Sequence, residues 1–260
     1  MGSTLSRLKV QGREVSLHRA GAGAPLLYLH GNEGLDDYLP AVESLAARFQ
    51  VTAPLHPGFG EEIPDWLDNI GDYALFYLDL IETLGLGAVH VVGHSVGAWI
   101  ALEMAVRCPV ALRTLTIGGA AGIHLKGVPK GDPFFWSAEK VIRHSFADEA
   151  QIKAQVAREK SLGPEALENR LKDQRTLARV AWAPPFFNPH LERWLHRASM
   201  PSHIVWGEQD GMFPLAYAHR FKELLPQAKL TILLGCGHLS PLERTADYAE
   251  AVAGFLGEAS

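Results

Sequence analysis

A serine, a histidine and an aspartate in this sequence stand where a nucleophile, its base and an orienting acid could be assembled. Ser95 lies in Gly93-His94-Ser95-Val96-Gly97, a G-x-S-x-G pattern. The apolar run Val89–Val92 precedes it and a helical stretch, Val96–Cys108, follows, which is the strand–turn–helix setting of a nucleophile elbow. Such a turn strains its central residue and leaves no room for β-carbons on either side, which accounts for the two glycines. A helix starting at this point also favours developing negative charge. A serine hydroxyl needs a base, and the base needs an acid to orient it. His238 follows the run Leu230–Leu234 in Gly235-Cys236-Gly237-His238, and Asp210 follows Ile204–Trp206 in Gly207-Glu208-Gln209-Asp210. Both positions lie at the ends of expected strands, where active sites of open α/β sheets form, in the chain order Ser, Asp, His. The loop after the preceding run, Gly118-Gly119-Ala120-Ala121-Gly122, offers no carboxylate that could replace Asp210. For a tetrahedral oxyanion, the candidate donors are the backbone N–H groups of Val96 and of Asn32, the latter in His30-Gly31-Asn32-Glu33-Gly34. His30 and His94 read as structural histidines, and His56 as part of a turn, His56-Pro57-Gly58-Phe59-Gly60.

The elements that must position these groups alternate along most of the chain. Leu8–Val10 and Val15–His18 alternate apolar and polar residues, as an antiparallel edge hairpin does. Leu26–Leu29, Val89–Val92, Leu115–Ile117, Ile204–Trp206 and Leu230–Leu234 read as strands buried on both faces. Helical patterns occupy roughly 36–49, 68–84, 96–108, 215–225 and 243–256. The expected fold is α/β, a mostly parallel sheet flanked by helices. The alternation stops between Ile123 and Arg197, where helical stretches at 137–146, 148–160, 164–182 and 191–197 suggest an all-helical insertion. In the third of these, Leu167, Leu171 and Ala178 recur at near-helical spacing. We therefore expect a core of residues 1–122 and 198–260 carrying a helical cap of 123–197. The insertion is rich in aromatics: Phe134, Phe135, Trp136, Phe146, Trp182, Phe186, Phe187 and Trp194. Trp182, Phe186 and Phe187, with Trp99 and Met212 from the core, are candidate walls of an apolar substrate pocket.

Composition narrows the partners. Of 260 residues, 47% are hydrophobic and 20% charged, which fits a globular domain and not disorder or fibrous repeats. The net charge of −5, with no basic run, argues against nucleic acid and anionic membranes as partners. Two cysteines make no disulfide framework. The first residues, MGSTLSRLKVQGREV, lack the apolar stretch of a signal peptide, and the most apolar window, 89–106, carries His90, His94, Ser95 and Glu103. A cytoplasmic protein is expected, with a small-molecule substrate and an oligomeric state that the sequence leaves open.

Taken together, LHGNEG, HPGFG, VGHSVGAW, WGEQDGMFP and GCGHLSPLE make the sequence resemble the α/β-hydrolase superfamily over nearly its whole length. The resemblance implies a helical cap over a Ser95–His238–Asp210 site, and acyl transfer to water with neither a metal nor an organic cofactor. Members of this length resemble carboxylesterases, carbon–carbon hydrolases of ring-cleavage products, enol-lactonases and cofactor-free haloperoxidases. Dehalogenases and epoxide hydrolases of this fold use an aspartate at position 95, where this chain has serine, and no tyrosine occurs between Tyr77 and Tyr217 to serve epoxide opening. Carbon–carbon hydrolases commonly carry Asn before the nucleophile and Trp after the histidine, where this chain has His94 and Leu239. The expectation is a serine esterase of small or medium carboxylic esters, with a carbon–carbon hydrolase or enol-lactonase as the alternative. A thioesterase is less favoured because nothing basic flanks the site motifs. A non-catalytic receptor is less favoured because all three residues and both oxyanion loops are present.

Overall fold

The computed structural model describes residues 4–259; residues 1–3 and 260, which the expected core range includes, lie outside it. Eight strands form one sheet: β1 (Thr4–Val10), β2 (Arg13–Ala20), β3 (Pro25–Leu29), β4 (Gln50–Pro54), β5 (Val89–His94), β6 (Leu112–Gly118), β7 (Ser202–Gly207) and β8 (Lys229–Leu233). Their spatial order is β1-β2-β4-β3-β5-β6-β7-β8. The β1–β2 hairpin is antiparallel and joins β4 antiparallel, and every later pairing is parallel. Helices are α1 (Leu39–Ala46), α2 (Ile70–Thr83), α3 (Val96–Arg107), α4 (Ala138–Ser145), α5 (Glu149–Lys160), α6 (Pro164–Ala181), α7 (Leu191–Trp194), α8 (Ala216–Leu224), α9 (Ser240–Glu243) and α10 (Thr245–Glu258).

Two apolar layers sandwich the sheet. One gathers α2, α3 and α8 (Tyr77, Ile100, Phe221), and the other gathers α1 and α10 (Val42, Val252). Strands buried on both faces read as nearly continuous apolar runs, and β5 (VHVVGH), at the centre, is buried throughout, its two histidines included. Between β6 and β7 the described chain holds α4 to α7 and one bridging pair, Gly122 with Phe187.

Two strands depart from expectation. β4 is not among the strands expected from sequence, although it sits inside the sheet between β2 and β3. Its residues, QVTAP, include a polar Thr52 that is buried and a terminal proline, so no apolar run marks it. β8 reads as a doubly buried strand but closes the sheet edge, only partly buried, with Leu234 beyond its end largely exposed. The parallel sheet ends there, so one side of β8 has no neighbouring strand to cover it.

Candidate active site

β5 carries its last residue into a turn at Ser95, whose φ of 54° and ψ of −116° no ordinary side chain adopts without strain. A β-carbon on Gly93 would overlap the Gly97 carbonyl, and one on Gly97 the Leu29 carbonyl of β3, so only glycine fits at either position. The Ser95 N–H donates to the Gly118 carbonyl at 2.8 Å, tying the elbow to the end of β6. α3 begins at Val96, so its first amides have no partner within the helix.

The ends of β7 and β8 deliver the other two groups. His238 Nε2 lies 3.2 Å from Ser95 Oγ, and its Nδ1 lies 2.9 Å from Asp210 Oδ2. The second carboxylate oxygen, Asp210 Oδ1, accepts from the Met212 N–H at 2.9 Å and the Phe213 N–H at 2.7 Å, which fixes the carboxylate plane. All three side chains are buried. Burial pulls the His238 pKa down, but the charge and hydrogen bond of Asp210 outweigh it and hold the imidazole above its usual 6.5; an ionised Glu33 would act in the same direction as Asp210. Gly119 lies against the ring, where a β-carbon would sit 2.8 Å from His238 Cε1.

The loop after β3 approaches from the opposite side. His30 Nε2 accepts from the His56 N–H at 3.0 Å, and His56 Nε2 donates to the His30 carbonyl at 2.9 Å. Every ring nitrogen of this stacked pair has a partner that a neutral imidazole satisfies. Burial accordingly pushes the His30 pKa down to about 4 and that of His56 well below its usual value. His94 lies under the elbow, its Nε2 donating to the His238 carbonyl at 2.9 Å.

A cavity of about 590 Å³ lies between the Asn32–Asp37 loop and α4 to α6; Ser95, Asp210 and His238 are not among its lining residues. Asn32 and Leu239, neighbours of the site in sequence, line it along with Phe134, Trp136, Phe146 and Leu177. The five wall candidates named from sequence are not among its lining residues. Trp182 is half exposed and packs on Phe134 and Phe135. Phe186 stacks on Phe134 and Phe187 on His124. The Trp99 indole N–H donates to Glu103. Met212 lies against Gly131, where a β-carbon would sit 2.6 Å from its sulfur.

The face that α6 turns to the cavity carries Ala166, Asn169, Arg170, Asp173, Gln174 and Leu177. Leu167 and Leu171, which recur at near-helical spacing in the sequence, are exposed. Spacing of i, i+3, i+4, i+7 would have revealed the cavity stripe, but it is largely polar and an apolar criterion passes over it. Ala138, Val141, Ile142 and Ser145 form the corresponding stripe on α4.

The sequence model of the alpha/beta hydrolase family matches residues 26–252. The chain belongs to that family. This hydrolase is 26% identical over 270 residues to a 2-hydroxymuconate semialdehyde hydrolase from Pseudomonas sp. (strain CF600), covering 95% of this chain and 92% of that protein. It is 24% identical to Lipase 3 of Moraxella sp. (strain TA144), covering 90% and 77% respectively. In fold it is similar to the naproxen esterase of Bacillus subtilis, with a TM-score of 0.78, 20% identity, and 98% and 92% of the two chains covered. A meta-cleavage product hydrolase from Pseudomonas fluorescens IP01 gives a TM-score of 0.79 at 20% identity, with 98% of each chain covered. Among the described residues, no helix of the hydrolase is long and apolar enough to cross a membrane.

Proposed function

We propose that this hydrolase is a serine esterase of small or medium carboxylic esters, with Ser95 as nucleophile, His238 as base and Asp210 as orienting acid. The observation that carries the reading is the unbroken contact series Ser95 Oγ–His238 Nε2 and His238 Nδ1–Asp210 Oδ2, at 3.2 and 2.9 Å. His238 takes the serine proton as Oγ attacks the ester carbonyl, and Asp210 stabilises the imidazolium that forms. The amides of Asn32 and Val96 hold the oxyanion. His238 then protonates the departing alcohol, and water, activated by the same imidazole, releases the acid from Ser95. Residues 123–197 act as a cap whose α4 to α6 wall the cavity and select the substrate.

Electrostatics of the cavity favour a neutral ester. Its two arginines are already paired, Arg158 with Asp37 at 2.7 Å and Arg170 with Glu159 at 2.6 Å. Asp36 and Asp173 line it as well, so a substrate carboxylate would meet no free cation among the lining residues. The second reading is a carbon–carbon hydrolase of ring-cleavage products, favoured by the similarity to 2-hydroxymuconate semialdehyde hydrolase.

The test is a panel of nitrophenyl esters of increasing chain length beside a ring-cleavage dienoate and a lactone, with fluorophosphonate labelling of the wild type and Ser95→Ala. Labelling confined to Ser95, with ester turnover exceeding dienoate turnover, is the expected result. Dienoate turnover that exceeds every ester selects the second reading, and labelling that persists in Ser95→Ala overturns both.

A further inference from the structure

The Tyr38 hydroxyl stands between two groups, 2.7 Å from Glu33 Oε2 and 3.0 Å from His94 Nδ1. The other nitrogen of His94, Nε2, faces the carbonyl of His238, which can only accept, so Nε2 carries a proton. A neutral His94 then presents a bare lone pair at Nδ1, and an ionised Glu33 presents another at Oε2. Tyr38 has one proton and can donate to only one of them. With Glu33 ionised and His94 neutral, one of these two close contacts would set lone pair against lone pair, beside a tyrosine and a histidine with no solvent exposure. The chain therefore needs one more proton. The His30–His56 pair, by contrast, is satisfied in full by neutral rings.

Two sites could hold it. On His94 it would make a buried cation whose ring centre lies 5.0 Å from that of His238, the ring that must itself become cationic in the reaction. On Glu33 it lets the carboxylic acid donate to Tyr38, Tyr38 donate to His94 Nδ1, and His94 donate to the His238 carbonyl. We propose that Glu33 is kept as the neutral carboxylic acid at neutral pH, and that Glu33, Tyr38 and His94 form a proton-complete chain positioning the backbone of His238. Glu33 is a positioning residue in this account.

The surroundings agree. Burial raises the Glu33 pKa, and Asp37 on the following turn adds to this; His238, the Tyr38 hydroxyl and the amide of Glu33 itself oppose it. Asp36 lines the same cavity, and Arg158 of α5, which lines it too, is paired with Asp37. Burial and the neighbouring His238 hold His94 well below its usual pKa. A neutral Glu33 also keeps negative charge away from the adjacent Asn32 amide; this consequence rests on the reading of Asn32 as an oxyanion donor.

The test combines infrared spectroscopy with pH–rate profiles. In the difference spectrum of wild type minus Glu33→Gln at pH 7, we expect the carbonyl band of a protonated carboxylic acid and no carboxylate bands. Gln offers Tyr38 a neutral donor as the carboxylic acid does, so the readout in this variant is the position of its pH profile and not its absolute rate. The rising limb of its pH profile should coincide with that of wild type, because a neutral Glu33 adds no charge to the field at His238. Tyr38→Phe removes the bridge, leaves His94 Nδ1 unpaired, and should lower kcat about tenfold or more. Carboxylate bands in the difference spectrum, or a rising limb in Glu33→Gln displaced to lower pH, would overturn the proposal. If the protein hydrolyses no ester at all, the esterase reading fails while the infrared result still decides the state of Glu33.

Discussion

Replacing Asp210 by Asn exchanges one carboxylate oxygen for an NH₂ group and should remove nearly all activity. Oδ1 of Asp210 accepts from the Met212 and Phe213 amides at 2.9 and 2.7 Å. Those amides can only donate, so in Asp210→Asn the side-chain oxygen takes the Oδ1 position and the NH₂ turns toward His238 Nδ1, which lies 2.9 Å from Oδ2 in the wild type. Facing a donor, Nδ1 must accept, and the ring proton moves to Nε2, the nitrogen 3.2 Å from Ser95 Oγ. A neutral imidazole protonated on Nε2 cannot take the serine proton. In the serine protease template, the corresponding change lowers kcat about 10⁴-fold, which corresponds to about 5.4 kcal/mol of transition-state stabilisation. Both turnover of a nitrophenyl ester and the rate of fluorophosphonate labelling should fall by this order. The thermal midpoint should change little, because both backbone bonds to position 210 survive. A loss of less than about tenfold would refute the reasoning, since another group would then be orienting His238. So would a full loss of ester turnover with labelling unchanged, because labelling needs the same activated hydroxyl.

Glu243 links the α4–α5 connection to the His238 loop: its carboxylate accepts from Gly237 N–H at 2.5 Å, Ala147 N–H at 2.7 Å and Asp148 N–H at 2.6 Å. Glu243→Ala strands a buried amide at Gly237 and two part-buried ones, a cost of at least about 2 kcal/mol. Calorimetry should show a fall in Tm of roughly 4–8 °C, and an unchanged Tm would refute the linkage. Acid should also weaken the fold. The unfolded His30 takes a proton near its usual 6.5, whereas the buried ring resists until about 4, so stability is fully present above 6.5 and drains away as pH falls toward 4. That amounts to about 2 kcal/mol lost by pH 5, with His56 acting in the same direction. His238 runs the other way: its raised pKa gives stabilisation present below 6.5 that is lost as pH rises through the folded value. Urea unfolding at pH 7.5 and pH 5 measures the balance, and equal stabilities would show that the buried histidines do not dominate it.

The parts of this protein legible in its sequence are those dictated by local chemistry. The Gly93–Gly97 turn needs glycines because a neighbouring backbone fills the space of any β-carbon, and that requirement is written in five consecutive residues. The continuous apolar runs of β3, β5, β6 and β7 follow from burial on both faces, and the helical run between β6 and β7 from the loss of that pattern. Ser95, Asp210 and His238 can be named as candidates from sequence because each follows shortly after an apolar run, that of β8 included. Their chain order belongs to one sheet architecture. Tertiary structure decided everything that depends on a partner distant in the chain. β4 is a strand because β2 and β3 supply its hydrogen bonds, although its own residues carry no apolar run. α6 turns a largely polar stripe toward the cavity and leaves Leu167 and Leu171 exposed, since the cavity and its ion pairs lie on that side of the helix. The Tyr38 hydroxyl meets Glu33, five residues away, and His94, 56 residues away, at one point. A proton count for that point exists only once the fold has brought both groups to a single hydroxyl.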